Sequence, residues 1–174
     1  RASFQKFLNL DLIHDPVPDE TTILKFRHLL EEHNLFKALF EEIKKHLTEK
    51  GFLMKSGTIV DATLLSAPSS TKNYSGKRDP EMSSTKRNGK WHFGMKTHIG
   101  VDAKSGLVHS ITATTAKSHD STEFENLLHG EEKIIFGDKA YNGKKQQQKF
   151  EKQGVAWGVL AKGTRSTPLT DTQR

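Results

Sequence analysis

The sequence predicts an α/β fold: a mixed sheet of three antiparallel strands, then parallel strands with crossover helices, all preceded by a small helical region. Residues 91–101 alternate apolar and polar with a period of two, and residues 107–115 return as their partner, which indicates a hairpin. Short apolar runs at 58–64 and 132–137 are typical of buried strands. Helical stretches separate the later runs, and such connections produce parallel strands with right-handed crossovers.

The first part of the chain is predicted to be helical. Asp19 or Thr21 can cap a first amphipathic helix, and a second helix ends at Gly51. Acidic residues balance the basic ones in both helices, which favours packing or dimer contact over a helix-turn-helix that binds DNA. The predicted division is a helical region over residues 1–55, with DNA binding kept open beside the favoured dimerisation, and an α/β domain over 56–174.

A long basic loop is predicted over residues 66–90, where Ser, Gly, Pro and basic residues dominate. The window 72–104 holds eight lysines and arginines against three acids, within a chain whose net charge is +6. Loops of this length inside a domain are usually functional or disordered. A phosphodiester substrate would suit such a window. The alternative is a solvated loop whose lysines only aid solubility.

The remaining elements have ordinary explanations. Asp102 begins the hairpin turn and is expected to have no catalytic role. Asp120 resembles part of a capping box at the start of a helix over 118–130, so it is left out of the candidate site. A helix over 141–152 and a last strand over 155–160 complete the domain.

Two aspartates each end an apolar strand. Asp61 comes after the first run and Asp138 after the fourth. Burying a carboxylate there is costly unless it is paired or coordinated, although each residue taken singly could cap the next element of the chain. The order of elements predicts an RNase H-like topology, in which the first strand is central and the fourth lies beside it. The two carboxylates would then face each other and hold Mg²⁺ or Mn²⁺. Two such ions roughly 3.5–4 Å apart support in-line displacement at phosphorus.

Basic residues around these aspartates are the candidate DNA contacts. Lys96 and His98 are expected on an exposed polar face of the hairpin, where the absence of cysteine argues against a zinc site. The full candidate set is Lys72, Lys77, Arg78, Lys86, Arg87, Lys96, His98 and Lys139.

Several runs, in order, resemble DDE transposases of bacterial insertion sequences. They are Val60-Asp61-Ala62-Thr63, Phe93-Gly94-Met95-Lys96-Thr97-His98-Ile99-Gly100-Val101-Asp102, His129-Gly130-Glu131-Glu132 and Phe136-Gly137-Asp138-Lys139-Ala140-Tyr141. Residues 18–30 are similar to the amino-terminal helical region of the same branch. The resemblance covers roughly residues 4–162.

The resemblance implies a transposase that cuts element ends with water and joins the freed 3′-hydroxyl to target DNA. It implies two Mg²⁺ or Mn²⁺ ions in the complete site, a homodimer or larger assembly on double-stranded DNA, and a bacterial cytoplasmic protein acting at the nucleoid. Asp61 and Asp138 match the first two metal-binding acids of the family. No membrane partner is expected, since no apolar run approaches the length of a transmembrane span.

The third acid of this branch is a glutamate in a Tyr–Arg–Glu–Lys arrangement, which neither Glu151 nor Asp171 matches. We therefore expect a chain truncated at both ends, lacking that glutamate and weak or inactive in strand transfer. Two alternatives stay open: a non-catalytic remnant that binds DNA or dimerises, and an RNase H-like nuclease of another type.

Overall fold

Six strands form one mixed sheet with the first strand at its centre. The computed structural model describes residues 6–11, 13–72, 74–87 and 89–163. The strands are β1 Gly57–Ser66, β2 Ser83–Arg87, β3 Lys90–Asp102, β4 Val108–Thr115, β5 Ile134–Gly137 and β6 Ala156–Val159. Their order is β2-β3-β1-β5-β6, with β4 also paired to β3. Strand β3 is antiparallel to β1, β2 and β4, whereas β5 is parallel to β1 and β6. The expected α/β class with an RNase H-like mixed sheet is confirmed.

The chain divides into two compact units, Arg1–His46 and Leu47–Arg174. The helices are α1 Glu20–Glu32, α2 Leu35–Glu49 and α3 Lys144–Lys152. Asp19 caps α1 as expected, accepting a hydrogen bond of 2.7 Å from the Thr22 N–H. No helix among the described residues has the length and apolar character needed to cross a membrane. The division of roles between residues 1–55 and 56–174 stays a prediction.

Two local predictions are wrong. The loop predicted over 66–90 contains β2, an edge strand whose residues need not be apolar because much of it faces solvent. The helix predicted over 118–130 is instead two short 3-10 helices, Asp120–Thr122 and Phe124–Leu127. His119, not Asp120, caps the first of them with its side chain.

One face of the sheet carries the core. In β1 the side chains of Thr58 and Val60 are buried, whereas Ile59 and Asp61 are exposed, as the period of a strand requires. The 3-10 helices and α3 cover the buried face. The core side chains are Val60, Phe124, Leu127, Ile135, Tyr141, Phe150 and Val159. Gly100 lets the second 3-10 helix pack closely on β3, because a Cβ at this position would lie 2.2 Å from the Leu127 carbonyl oxygen.

A buried polar cluster holds β1 next to β5. The carboxylate of Glu132 accepts hydrogen bonds from the N–H groups of His129 and Gly130, at 2.7 and 2.9 Å. The Thr58 hydroxyl donates to the same carboxylate at 3.1 Å. Thr58 lies on β1 and Glu132 precedes β5, so the contact fixes how the two strands align. The run 129–132 therefore has a structural explanation.

Asp102 is a turn residue, as predicted, and it is also a buried anchor with 1 % of its surface exposed. Its carboxylate accepts hydrogen bonds from the N–H groups of Met54, Lys55, Lys104 and Ser105 and from the Ser105 hydroxyl, at 2.7–3.0 Å. Burial by itself raises the pKa of this carboxyl. The hydrogen bonds from Ser105, Lys55 and Lys104 outweigh burial and lower the pKa from 3.8 to about 2. The charged form therefore stabilises the fold.

We predict that Asp102→Asn lowers the free energy of unfolding by about 2–3 kcal/mol, because an amide cannot accept from all these donors at once. In the unsubstituted protein the carboxylate's contribution is complete above the unfolded pKa near 4 and is lost as the pH falls towards 2. Urea unfolding at pH 7 and at acidic pH measures both effects. The control is Asp79→Asn, at an exposed turn where the carboxylate accepts from the Glu81 N–H. Equal losses in the two variants would contradict the anchor role.

Candidate metal and DNA site at the ends of the central strands

The parallel pairing of β1 with β5 brings two aspartates to one place. Val60 is the Cα partner of Gly137, so Asp61 and Asp138 are the next residues on neighbouring strands. Neighbouring strands lie about 4.8 Å apart. Both residues line one pocket of about 270 Å³. Its lining residues are Asp61, Ala62, Leu64, Thr85, Lys86, Arg87, Lys96, Asp120 and Asp138.

The position of the Asp61 carboxylate depends on where β5 ends. In β1 the backbone N–H and C=O groups of odd-numbered residues point towards β3. This follows from two hydrogen bonds, Ala103 N to Gly57 O and Ala67 N to Phe93 O. The Ala62 N–H therefore points to the other side, past the last residue of β5. Asp61 Oδ1 accepts that N–H at 2.8 Å, which brings the carboxylate to the open edge of β1.

Asp138 is arranged in a similar way. Its Oδ1 accepts the Ala140 N–H at 2.7 Å, within the turn that leaves β5. Within the described parts of the chain, the second carboxylate oxygen of Asp61 and of Asp138 accepts no hydrogen bond. Both carboxylates are exposed. Each therefore offers an oxygen to a ligand at the pocket.

Asp120, which sequence reasoning left out, lies in the same pocket. The Lys96 ammonium is 2.7 Å from Asp120 Oδ1 and donates to the Ser118 carbonyl oxygen, also at 2.7 Å. The two side chains are only 16 % and 25 % exposed. Only the register of the hairpin could have revealed this pair, because Lys96 lies opposite Thr114, shortly before Ser118. Local sequence around Asp120 points only to capping.

Tyr141 is buried close enough to the three carboxylates to interact with their charges. Its side chain is 1 % exposed, and its hydroxyl has no hydrogen-bond partner within the described residues. Burial, and then the negative charges of Asp120, Asp61 and Asp138, raise the pKa of this phenol well above its usual range. The hydroxyl therefore stays protonated as a potential donor near the pocket.

Comparison with known families bears on this arrangement. The model of the transposase DDE domain matches residues 53–172 of the chain. This chain belongs to the transposase DDE domain family. The match takes in all six strands and both Asp61 and Asp138. No solved structure matches the chain.

The basic residues of the DDE domain are not equivalent. His98 has no exposed surface, and its Nε2 lies 2.9 Å from the Thr114 hydroxyl, so the expectation of an exposed His98 is wrong. Even-numbered residues of this part of β3 face the covered side of the sheet. Burial lowers the pKa of His98, which favours its neutral form. A fully buried ring cannot touch a phosphate, and we leave His98 out of the proposed contacts.

The other candidate cations are placed differently. The expected exposure of Lys96 is also wrong, because its side chain lies mostly buried at the carboxylate pocket, paired with Asp120. Lys86 and Arg87, on the edge strand β2, line the same pocket and are exposed. The remaining candidates are exposed outside it: Lys72, Lys77, Arg78 and Lys139.

The donors of the pocket fit a divalent cation only in part. Carboxylate oxygens are the ligands Mg²⁺ prefers, and one or two carboxylates are its usual share from a protein. Among the described residues, however, no three Asp, Glu or His side chains are grouped as ligands of one ion. Glu151 accepts from the Gln147 side chain on α3 and does not line the pocket. Asp171 lies outside the described residues.

We predict that the Lys96–Asp120 ion pair stabilises the domain more than its geometry alone would suggest. A double-mutant cycle with Lys96→Met and Asp120→Asn should give a coupling of about 1–2 kcal/mol in urea unfolding, because water screens this half-buried pair weakly. The matched control is the Lys149–Glu125 pair, which has the same 2.7 Å separation but side chains that are 47 % and 58 % exposed. Its cycle should give less than about 1 kcal/mol. Similar couplings in the two cycles would show that burial adds nothing.

Proposed function

We propose that this DDE domain is the catalytic region of a DNA transposase. It would hydrolyse phosphodiester bonds at element ends and transfer the 3′-hydroxyl into target DNA. One observation carries the proposal: Asp61 and Asp138 leave neighbouring parallel strands at the same register and line one pocket with Lys86 and Arg87. Paired carboxylates are suitable ligands for a hard divalent metal ion, and the neighbouring basic side chains can bind a phosphate backbone.

In this proposal Asp61 and Asp138 hold Mg²⁺ or Mn²⁺ through the oxygens their backbone contacts leave available. Ions held there would supply activation of the attacking oxygen and stabilisation of the leaving oxygen in a displacement at phosphorus. Lys86 and Arg87 hold the backbone of the DNA without reading its sequence. Lys96, fixed by Asp120, keeps one positive charge beside the acids.

The DNA surface would extend beyond the pocket. Lys72, Lys77, Arg78 and Lys139 are exposed and complete the proposed set of phosphate contacts. The partner would be double-stranded DNA, at element ends and target sites, bound by a dimer or larger assembly in the bacterial cytoplasm. These finer points, the bacterial insertion-sequence branch among them, rest on the resemblance in sequence.

A second candidate function is a transposase-derived domain that binds DNA or dimerises without catalysis. One observation favours it: no glutamate of the described chain lines the pocket, and no three-ligand group is present there. Under this alternative the domain keeps the fold and the basic surface. Metal-dependent nicking of duplex DNA separates the two candidates. A preference for RNA–DNA hybrids would instead indicate an RNase H-like nuclease of another type.

We predict that Asp61→Asn and Asp138→Asn each weaken Mn²⁺ binding at least tenfold in titration calorimetry, because each removes a charged ligand. Asp79→Asn, outside the pocket, serves as the control. Strand transfer by the 174 residues alone should be weak or absent, since two of the three acids in the described pocket are available to the proposed ions and the third, Asp120, is paired with Lys96.

Unchanged Mn²⁺ affinity in both variants would remove Asp61 and Asp138 from the proposed site. Strong joining by the chain alone would show instead that another of its residues supplies the missing ligand. The two results bear on separate parts of the proposal, since one measures ion binding and the other the reaction.

Duplex binding should weaken steeply with salt, because phosphate contacts release counterions. Lys86→Gln/Arg87→Gln should reduce the slope of log K against log salt by about 1.8, or roughly 0.9 for each lost contact. Fluorescence anisotropy over a salt series measures the slope. The control, Lys145→Gln/Lys152→Gln, removes the same charge from exposed positions on α3 outside the pocket. An equal change in both variants would point to net charge rather than to contacts on β2.

A further inference from the structure

The hairpin of β2 and β3 exposes a tryptophan that the proposed reaction does not use. Trp91 is 72 % exposed, although a large apolar ring normally gains from burial. The other tryptophan of the chain, Trp157, packs on Phe150 with ring centroids 6.2 Å apart. Trp91 lies on β3, directly opposite Lys86 on β2.

Basic residues lie on both faces of this hairpin. Lys86 shares the face of Trp91, whereas Arg87 and Lys90, the next cross-strand pair, leave the opposite face. Within the described residues, neither of these side chains nor Lys86 forms an ion pair with an acid. An exposed indole beside Lys86, on a hairpin that carries two further cations on its other face, is complementary to a polyanion.

A shallow pocket adjoins the ring. Its volume is about 320 Å³, and Trp91, Phe93 and Arg78 are among its lining residues. The Arg78 guanidinium lies 5.3 Å from the centre of the Phe93 ring and donates to the Ser69 carbonyl at 2.9 Å. These contacts hold Arg78 against the wall of the pocket. The walls thus combine two aromatic rings with a fixed cation.

We propose that Trp91 stacks on an unpaired base of DNA while Lys86 and Arg78, on the same side of the hairpin, hold the neighbouring phosphates. Aromatic rings in a basic groove are the usual means of binding single strands, because every base has a face on which to stack. In a duplex those faces are already covered by neighbouring bases. The hairpin would therefore bind a single-stranded or frayed DNA end in preference to an intact duplex. This preference goes beyond the proposed function, which concerns the carboxylate pocket.

The test uses the full chain without metal, so that no cleavage is needed. Tryptophan emission is recorded while unlabelled oligothymidylate is added to the unsubstituted protein and to Trp91→Phe. Stacking should quench the emission of Trp91, whereas Trp91→Phe reports only Trp157 and should change little. Anisotropy with end-labelled oligothymidylate and with a blunt duplex of equal length gives the affinities of Trp91→Ala and Trp91→Phe.

We expect Trp91→Ala to weaken oligothymidylate binding by about 5- to 150-fold, the range of one lost stacking contact. Duplex affinity should change less than about twofold, and Trp91→Phe should retain most of the single-strand affinity. Ile111→Ala, on β4, removes another exposed apolar side chain, 53 % accessible, and should change neither affinity. Circular dichroism checks that each variant is folded.

Three results would overturn the proposal. Equal losses for duplex and single strand would assign Trp91 to general DNA contact, and no loss would exclude it from binding. A blue shift of the emission as protein concentration rises, without DNA, would show that a second copy of the chain covers the ring. None of these readouts depends on the acids of the pocket, so a failure of Asp61 or Asp138 to bind metal leaves this test intact.

Discussion

The structure of the domain depends on the register between β1 and β5. A slip of one residue would turn every side chain of one strand to the opposite face and separate the two aspartates. Two features prevent it. The Thr58 hydroxyl binds Glu132 at the start of the pair. At its end, Gly137 leaves room for Val60, since a Cβ there would lie 2.9 Å from the Val60 Cγ2. The pocket exists because both ends of this short parallel ladder are fixed.

The aspartates of the domain differ in how many of their carboxylate oxygens are already hydrogen-bonded. Asp102 is buried and accepts from five donors, so its oxygens are fully occupied. Asp61 and Asp138 are exposed and each accepts one backbone N–H, so one carboxylate oxygen of each is available to bind a ligand. Asp120 is intermediate in its environment, because it lies in the pocket but its charge is neutralised by Lys96. Three acids can therefore share one small volume without a large cost from repulsion.

Sequence reasoning predicted the strands that carry Asp61 and Asp138, because apolar runs ending in an acid leave a local pattern. It also predicted the neighbouring positions of these strands, which the order of elements determines. It missed β2, since an edge strand made of Ser, Thr, Lys and Arg has no apolar alternation. It placed His98 on an open face, because period-two alternation separates the two faces of a strand without saying which one is covered. Asp120 was missed because its partner, Lys96, lies 24 residues away and meets it only through the hairpin.

The position of β2 at the border of the sheet has a consequence for the protein in solution. An unpaired border strand offers its backbone groups to any extended chain and can seed the stacking of one molecule on another. Here that strand is five residues long and ends in Lys86 and Arg87. A short length and charged side chains are two features that disfavour such pairing at a sheet edge, and this border has both.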